Sequence, residues 1–242
     1  MYNFEDQSIL VTGGTRGIGK AISLSYCDYG ANVTITGTLP DYRPEHKNIV
    51  YKQVDFNNEE QLDCFLEYVS NIDFSVCVNN AGINIKHSLL EFSDKEWEKV
   101  IGVNLTAPFK ITKAISKSMV KNGYGKIVNI SSLWSIQGAP RRVAYVSSKH
   151  GLNGLTKTLA SELSCNNILV NSVSPGFVLT DMTKDSLNEI EIENIQKSIP
   201  LKRLATPEDI SSVVCFLTSQ QNTYINGQNI VVDGGFSSCY VG

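Results

Sequence analysis

No block of lysine and arginine stands out in these 242 residues. The 21 basic side chains are scattered and are outnumbered by 24 acidic ones, for a net charge of −3. A nucleic-acid grip needs a basic face, so nucleic acid is not an expected partner. Long hydrophobic runs are missing too: none approaches the ~18 to 20 apolar residues that cross a bilayer. The opening residues MYNFEDQSILVTGG lack the charged segment and apolar stretch of a signal peptide. No membrane partner is expected. The six cysteines (Cys27, Cys64, Cys77, Cys165, Cys215, Cys239) are far apart and form no CxxC pair. That speaks against zinc and against a disulfide framework, so no metal and a reduced cytoplasmic setting are expected. There is no linker, low-complexity segment or short repeat, and a hydrophobic content of 42% is enough for one large core.

What is present is alternation. SILVTG, NVTITG, NIVYKQVD, FSVCVNNAG, GKIVNISS, NILVNSVSP and GQNIVVDGG read as strands, with amphipathic stretches between most of them. The strands are near-continuous apolar runs, as strands buried on both faces must be. Repeated strand–helix alternation implies a parallel sheet covered on both sides. The expected fold class is α/β: one doubly wound domain over residues 1–242, with a seven-stranded parallel sheet. Ser93 and Glu96 fit a capping box opening a helix over 94–121, and Pro207 suits the first turn of the last helix. The polar, acidic segment at about 181–205 interrupts the alternation and reads as a lid-like helical insertion.

VTGGTRGIG follows the first strand and opens the first helix. Gly13, Gly17 and Gly19 allow a tight turn and close approach to a pyrophosphate, while the helix N-terminus supplies N–H donors. An NAD site places an acid about 20 residues further on. Here Gly37 and Thr38 stand at that place and the first carboxylate is Asp41. Arg16, inside the loop, can reach a 2′-phosphate. Both features favour NADP(H) as cofactor.

The stretch YVSSK puts Tyr145 and Lys149 one helical turn apart, which is either an ordinary surface pair or a phenol held ready beside an ammonium. A free tyrosine, with a pKa of ~10, needs a shift of about 3 units, roughly 4 kcal/mol, to work near neutrality. A nearby ammonium lowers that pKa. TGGTRGIG, Asp55, NNAG (79–82), Asn104, NISS (129–132), Tyr145 with Lys149, and PGFVLT (175–180) stand in the order and at the intervals of the short-chain dehydrogenase/reductase family. The chain resembles that family over essentially its whole length, and in general look its 3-oxoacyl-(acyl carrier protein) reductase-like members.

The resemblance implies a Rossmann fold and a catalytic set of Asn104, Ser132, Tyr145 and Lys149. Tyr145 would donate the proton, Ser132 would bond the substrate oxygen, Lys149 would also bond the nicotinamide ribose, and Asn104 would hold a proton-relaying water. The implied NADP(H) site takes Gly13, Thr15, Arg16, Gly17, Ile18 and Gly19 from the glycine loop, and Thr38. Asp55, beside Phe56, would contact the adenine amine, and Asn80, Ala81 and Gly82 would pack on its ribose. Pro175, Gly176, Val178 and Thr180 would hold the carboxamide, with Tyr145 and Lys149 completing the site.

The implied reaction interconverts a ketone and a secondary alcohol. An acidic carrier protein needs a basic docking face, and SELSCNNI after the catalytic helix has no lysine or arginine. Trp134, Gln137 and Arg141, between Ser132 and Tyr145, point with those two residues to a polar, sugar-like substrate; alternatively, Arg141 and Arg142 face solvent or another subunit. A 3-oxoacyl-(acyl carrier protein) reductase and a catalytically inactive nucleotide-binding protein are the other readings. Val103, Ile111, Ile115, Leu152, Leu155 and Leu159 on the helices at 94–121 and 143–164 leave apolar surface for a partner, which predicts a homotetramer, with a dimer as fallback.

Overall fold

Seven strands form one parallel sheet in the computed structural model, which describes residues 2–180, 183 and 188–239. They are β1 (Ser8–Val11), β2 (Asn32–Gly37), β3 (Ile49–Gln53), β4 (Val76–Asn79), β5 (Gly125–Ile130), β6 (Ile168–Pro175) and β7 (Asn229–Val232), in the order β3-β2-β1-β4-β5-β6-β7. The central strands β4 and β5 are buried along their whole length, as their mostly apolar character leads one to expect, and Lys126, Asn129 and Asn79 are buried with them.

Side chains alternate between the two faces, with the period of two that a strand imposes. Ile9 and Val11 meet α1 (Gly17–Asp28) and α7 (Pro207–Thr218) through Ile22, Tyr26, Ile210 and Val214. Leu10, Cys77 and Ile127 point the other way. They meet Phe65 of α2 (Glu59–Ser70) and Ile111, Ile115 and Met119 of α4 (Ala107–Asn122). Each fully buried aliphatic side chain contributes roughly 1.5–3 kcal/mol. Both faces are covered, so the doubly wound α/β architecture is the one expected.

The helix expected over 94–121 is broken. α3 (Asp94–Ile101) opens with the Ser93/Glu96 capping box, then gives way to a π-helical turn at Gly102–Thr106 before α4 resumes. The turn accommodates one extra residue and buries Asn104, a placement typical of functional sites. α4 stops at Gly123, whose φ of +64° is left-handed. The long helix α5 (Val143–Leu163) carries Tyr145 and Lys149. In the acidic insertion, α6 (Glu189–Ser198) starts from an Asn188/Glu191 capping box. Positions 181, 182 and 184–187 of that lid lie outside the described residues, as do the last three of the C-terminal segment.

The apolar residues on these two helices are buried to different degrees. Val103, Ile111, Ile115 and Leu152 are buried, and Leu155 and Leu159 half-buried. The 3.6-residue period does not say which of two apolar stripes faces the sheet. On α4 the outward apolar groups are Phe109, 46% exposed, and Val120, 40% exposed. Among the described residues, no helix is long and apolar enough to cross a membrane.

Candidate active site

Strand order reverses between β1 and β4, so the connections leave their C-terminal ends in opposite directions and open a crevice there. A cavity of about 590 Å³ occupies it. All of the residues assigned to the cofactor from the sequence line this cavity, from Gly13 of the glycine loop to Thr180 beyond β6. Ser132, Trp134, Tyr145 and Lys149 line it too.

The glycine loop is shaped by backbone contact. Gly13 has a φ of +66°, and a Cβ there would come within 2.9 Å of the Ala81 Cα. The Asn80 amide donates to the carbonyls of Thr12 and Gly13, both at 2.9 Å, and Thr12 Oγ1 accepts from the N–H groups of Asn80 and Ala81, both at 3.0 Å. Asn80 therefore pins the loop from below. Thr12, whose role no spacing rule announced, is its counterpart.

The helix that follows has free donors. α2, α3, α6 and α7 are capped by Asn58, Ser93, Asn188 and Thr206, whereas α1 has no side-chain cap and no acid in its first turn. Its N–H groups and dipole end are left for an anion. Across the cavity, a Cβ on Gly17 would touch Thr180 at 3.3 Å. A cleft with uncapped donors on one wall and the Pro175–Thr180 segment on the other fits a dinucleotide pyrophosphate. At the end of β2, Gly37 and Thr38 line the cavity beside Arg16, with no carboxylate at that place.

The reactive end is built by β5 and α5. Lys149 is buried and donates from Nζ to the Ile130 carbonyl at 2.7 Å, while Ser131 Oγ donates to the Lys149 carbonyl at 3.1 Å. Burial lowers the Lys149 pKa to about 8. Its Nζ lies 5.7 Å from the Tyr145 ring centroid. The phenol itself is shifted opposite to the sequence-based expectation. Burial raises the Tyr145 pKa, and the Ser132 hydrogen bond and the Arg142 charge offset this only in part. The ammonium is occupied with Ile130, and desolvation outweighs the cations nearby. Ser132 Oγ accepts the Trp134 N–H at 3.2 Å, and its own proton is directed to the Tyr145 phenol.

Asn104 sits just beneath. Its Oδ1 accepts the Ile83 N–H at 2.8 Å, and its Nδ2 donates to the Ile83 carbonyl at 2.9 Å and to Ser148 Oγ at 3.1 Å. Ser148 in turn donates to the Tyr145 carbonyl at 2.7 Å. In this arrangement the side chain ties the loop after β4 to the catalytic helix. A second buried amide, Asn79, donates to Asn129 at 2.8 Å and to Thr112 at 3.1 Å. These links hold β4, α4 and β5 in register at the cavity floor.

Gln137 and Arg141 do not line the cavity. Arg141 is exposed, with a left-handed φ of +63°, and the chain turns there so that the next residue faces inward. It is Arg142 that lines the cavity, its guanidinium 5.7 Å from the Trp134 ring centre. Phe177, edge-on to Trp134 with centroids 6.2 Å apart, forms another wall. Asn84 and Lys86 also line the cavity. They lie in a loop where no periodicity marked them.

A cleft of dinucleotide size at the switch point of a doubly wound sheet, with a phenol, an ammonium and a serine hydroxyl at one end, defines an oxidoreductase that acts on CH–OH groups. The chain belongs to the short-chain dehydrogenase/reductase family. One of that family's models, described as enoyl-(acyl carrier protein) reductase, matches residues 13–237. The 3-oxoacyl-[acyl-carrier-protein] reductase FabG of Aquifex aeolicus is 40% identical over 237 residues, covering 93% of this chain and 95% of that one. A 4-hydroxyisoleucine dehydrogenase mutant, solved with NADH and succinate, is 32% identical at a TM-score of 0.91, covering 97% of this chain and 100% of that one. A gluconate 5-dehydrogenase from Burkholderia cenocepacia, solved with NADP and tartrate, is 25% identical at a TM-score of 0.90, covering 98% of each.

Proposed function

We propose that this chain is an NADP(H)-dependent carbonyl reductase that interconverts a polar ketone and its secondary alcohol. The observation that carries this reading is the convergence of Ser132, Tyr145 and Lys149 on the end of a cavity whose other end is the glycine loop. When bound, the cofactor supplies the hydride that reaches the carbonyl carbon. Tyr145 gives its phenolic proton to the carbonyl oxygen, so ketone, NADPH and one proton become alcohol and NADP⁺. The Ser132 hydroxyl turns to donate to the same oxygen as charge develops on it. Lys149 holds positive charge near the phenol and carries the ribose bond. Asn104 positions the catalytic helix through Ser148. Arg16, with no acid at the end of β2, selects the 2′-phosphate, as the NADP of the gluconate 5-dehydrogenase neighbour also supports.

The similarity to FabG proteins supports a second reading, reduction of a 3-oxoacyl thioester. The polar reading draws its support from Trp134 and Arg142 on the cavity wall. Residues 1–242 are read as a single NADP(H)-binding domain in the cytoplasm, assembled as a homotetramer, with a dimer as fallback. NADPH consumption with a panel of ketones, keto-sugars and 3-oxoacyl thioesters tests the function. A chain that binds NADPH yet reduces none of them would be a nucleotide-binding protein without turnover.

A further inference from the structure

Five cations, Arg16, Lys86, Lys99, Arg142 and Lys149, and a single carboxylate, Asp55, are found among the described residues that line the cavity. Arg16 stands on the glycine loop, and Lys149 is tied to Ile130. Lys86 and Arg142 have no such employment: neither forms an ion pair among the described residues. Both belong to the reactive end. Arg142 lies over Trp134, and its charge acts on the Tyr145 phenol. Lys86 is close enough to Arg142 for the two charges to repel. That repulsion adds to burial in lowering the Lys86 pKa, and Glu191 at the start of α6 offsets it only in part. Two like charges facing one small space are unfavourable until an anion sits between them. Two residues before Lys86, Asn84 lines the same cavity, and its buried Oδ1 has no partner among the described residues. A buried acceptor left unpaired costs free energy that a donor on the ligand recovers.

Resting on the hydride-transfer reading above, we infer that the substrate is a small hydroxy or oxo acid, whose carboxylate is paired by Lys86 and Arg142 and whose further hydroxyl donates to Asn84. Trp134 and Phe177, edge to face, bound the space. The pair sits at the reactive end, away from the loop that takes the pyrophosphate, so it discriminates between substrates.

The test compares 2-oxobutanoate, 4-oxopentanoate and 5-oxohexanoate, each beside its methyl ester, with NADPH as reductant. At least one acid should exceed its ester in kcat/KM by roughly 10- to 100-fold, the range of a charge-assisted contact. Lys86→Met should erase that ratio through KM, and Lys86→Arg should restore it. NADPH binding, followed by fluorescence titration, should be unchanged in both. Acids and esters turned over alike by the wild-type chain would overturn this assignment and leave the hydride-transfer reading intact. Loss of NADPH binding in Lys86→Met would reassign the lysine to the cofactor and overturn it too. Acetoacetyl-coenzyme A preferred over every oxo acid, with the preference lost in Lys86→Met, would give the cation pair to a phosphate of a pantetheine arm instead. A chain that binds NADPH but reduces no ketone, thioester or ester would overturn both readings together.

Discussion

Replacing Lys149 with methionine should make the free protein more stable while abolishing its activity. The buried ammonium is held at a pKa of about 8, against 10.5 for a free lysine. At ~1.36 kcal/mol per pH unit, keeping it charged at pH 7 costs the fold roughly 3 kcal/mol. Methionine fills similar space without the charge, but it leaves the Ile130 carbonyl without its donor, at a cost of about 1 to 3 kcal/mol. The expected net gain at pH 7 is about 0 to 2 kcal/mol. The sign with pH follows from proton binding. Between about pH 8 and 10.5 the unfolded chain holds the Lys149 proton and the folded chain does not. Wild-type stability therefore climbs across that window relative to the variant, and the variant's advantage shrinks and then reverses. Urea unfolding of both proteins at pH 7, 8.5 and 10, without cofactor, measures the difference and cancels every other titrating group. A variant less stable than wild type at pH 7, or a difference constant with pH, would refute the reasoning.

Tyr145→Phe should lower kcat by roughly 10²- to 10⁴-fold, the contribution of a positioned general acid, with NADPH still bound; a near-native kcat would sink the proton-donor assignment. Arg16→Ala should weaken NADPH by roughly 10- to 100-fold and leave NADH little changed, as paired titrations would read; equal losses for both would deny the 2′-phosphate contact. Thr206→Ala removes the cap whose Oγ1 accepts the Asp209 N–H at 3.3 Å. It should cost about 1 kcal/mol in thermal unfolding. Light scattering at micromolar concentration should return the mass of four chains, and a clean single-chain mass would remove the assembly.

Much of the architecture was legible because the central strands, buried on both faces, are mostly apolar runs. The glycine loop was legible because its backbone contacts admit no Cβ. The break at Gly102–Thr106 was not. Apolar residues recur through it at helical spacing, and nothing in that pattern distinguishes a π turn from an α turn. Arg141 and Arg142 look equivalent in sequence, and only the left-handed backbone at Arg141 decides which one enters the cavity. The sign of the Tyr145 shift is not legible, because a charge four residues away is visible in the chain while burial is a property of the packed site. Lys86 escaped notice for the opposite reason to Tyr145: it lies in an irregular loop and acquires its meaning from residues far along the chain.

The π turn also constrains how this site can change. The π turn absorbs one residue more than an α turn does, so losing one residue between Gly102 and Thr106 would restore ordinary hydrogen bonding and leave the helix downstream nearly in phase. Ile111, Ile115 and Met119 would keep their places in the core, while the tie from Asn104 to Ile83 and Ser148 would part. Point substitutions cannot make that repair, because the turn is a matter of residue count. The site therefore depends on the extra residue although the core does not, and a single-residue deletion there should cost the Asn104 tie while sparing the packing of α4.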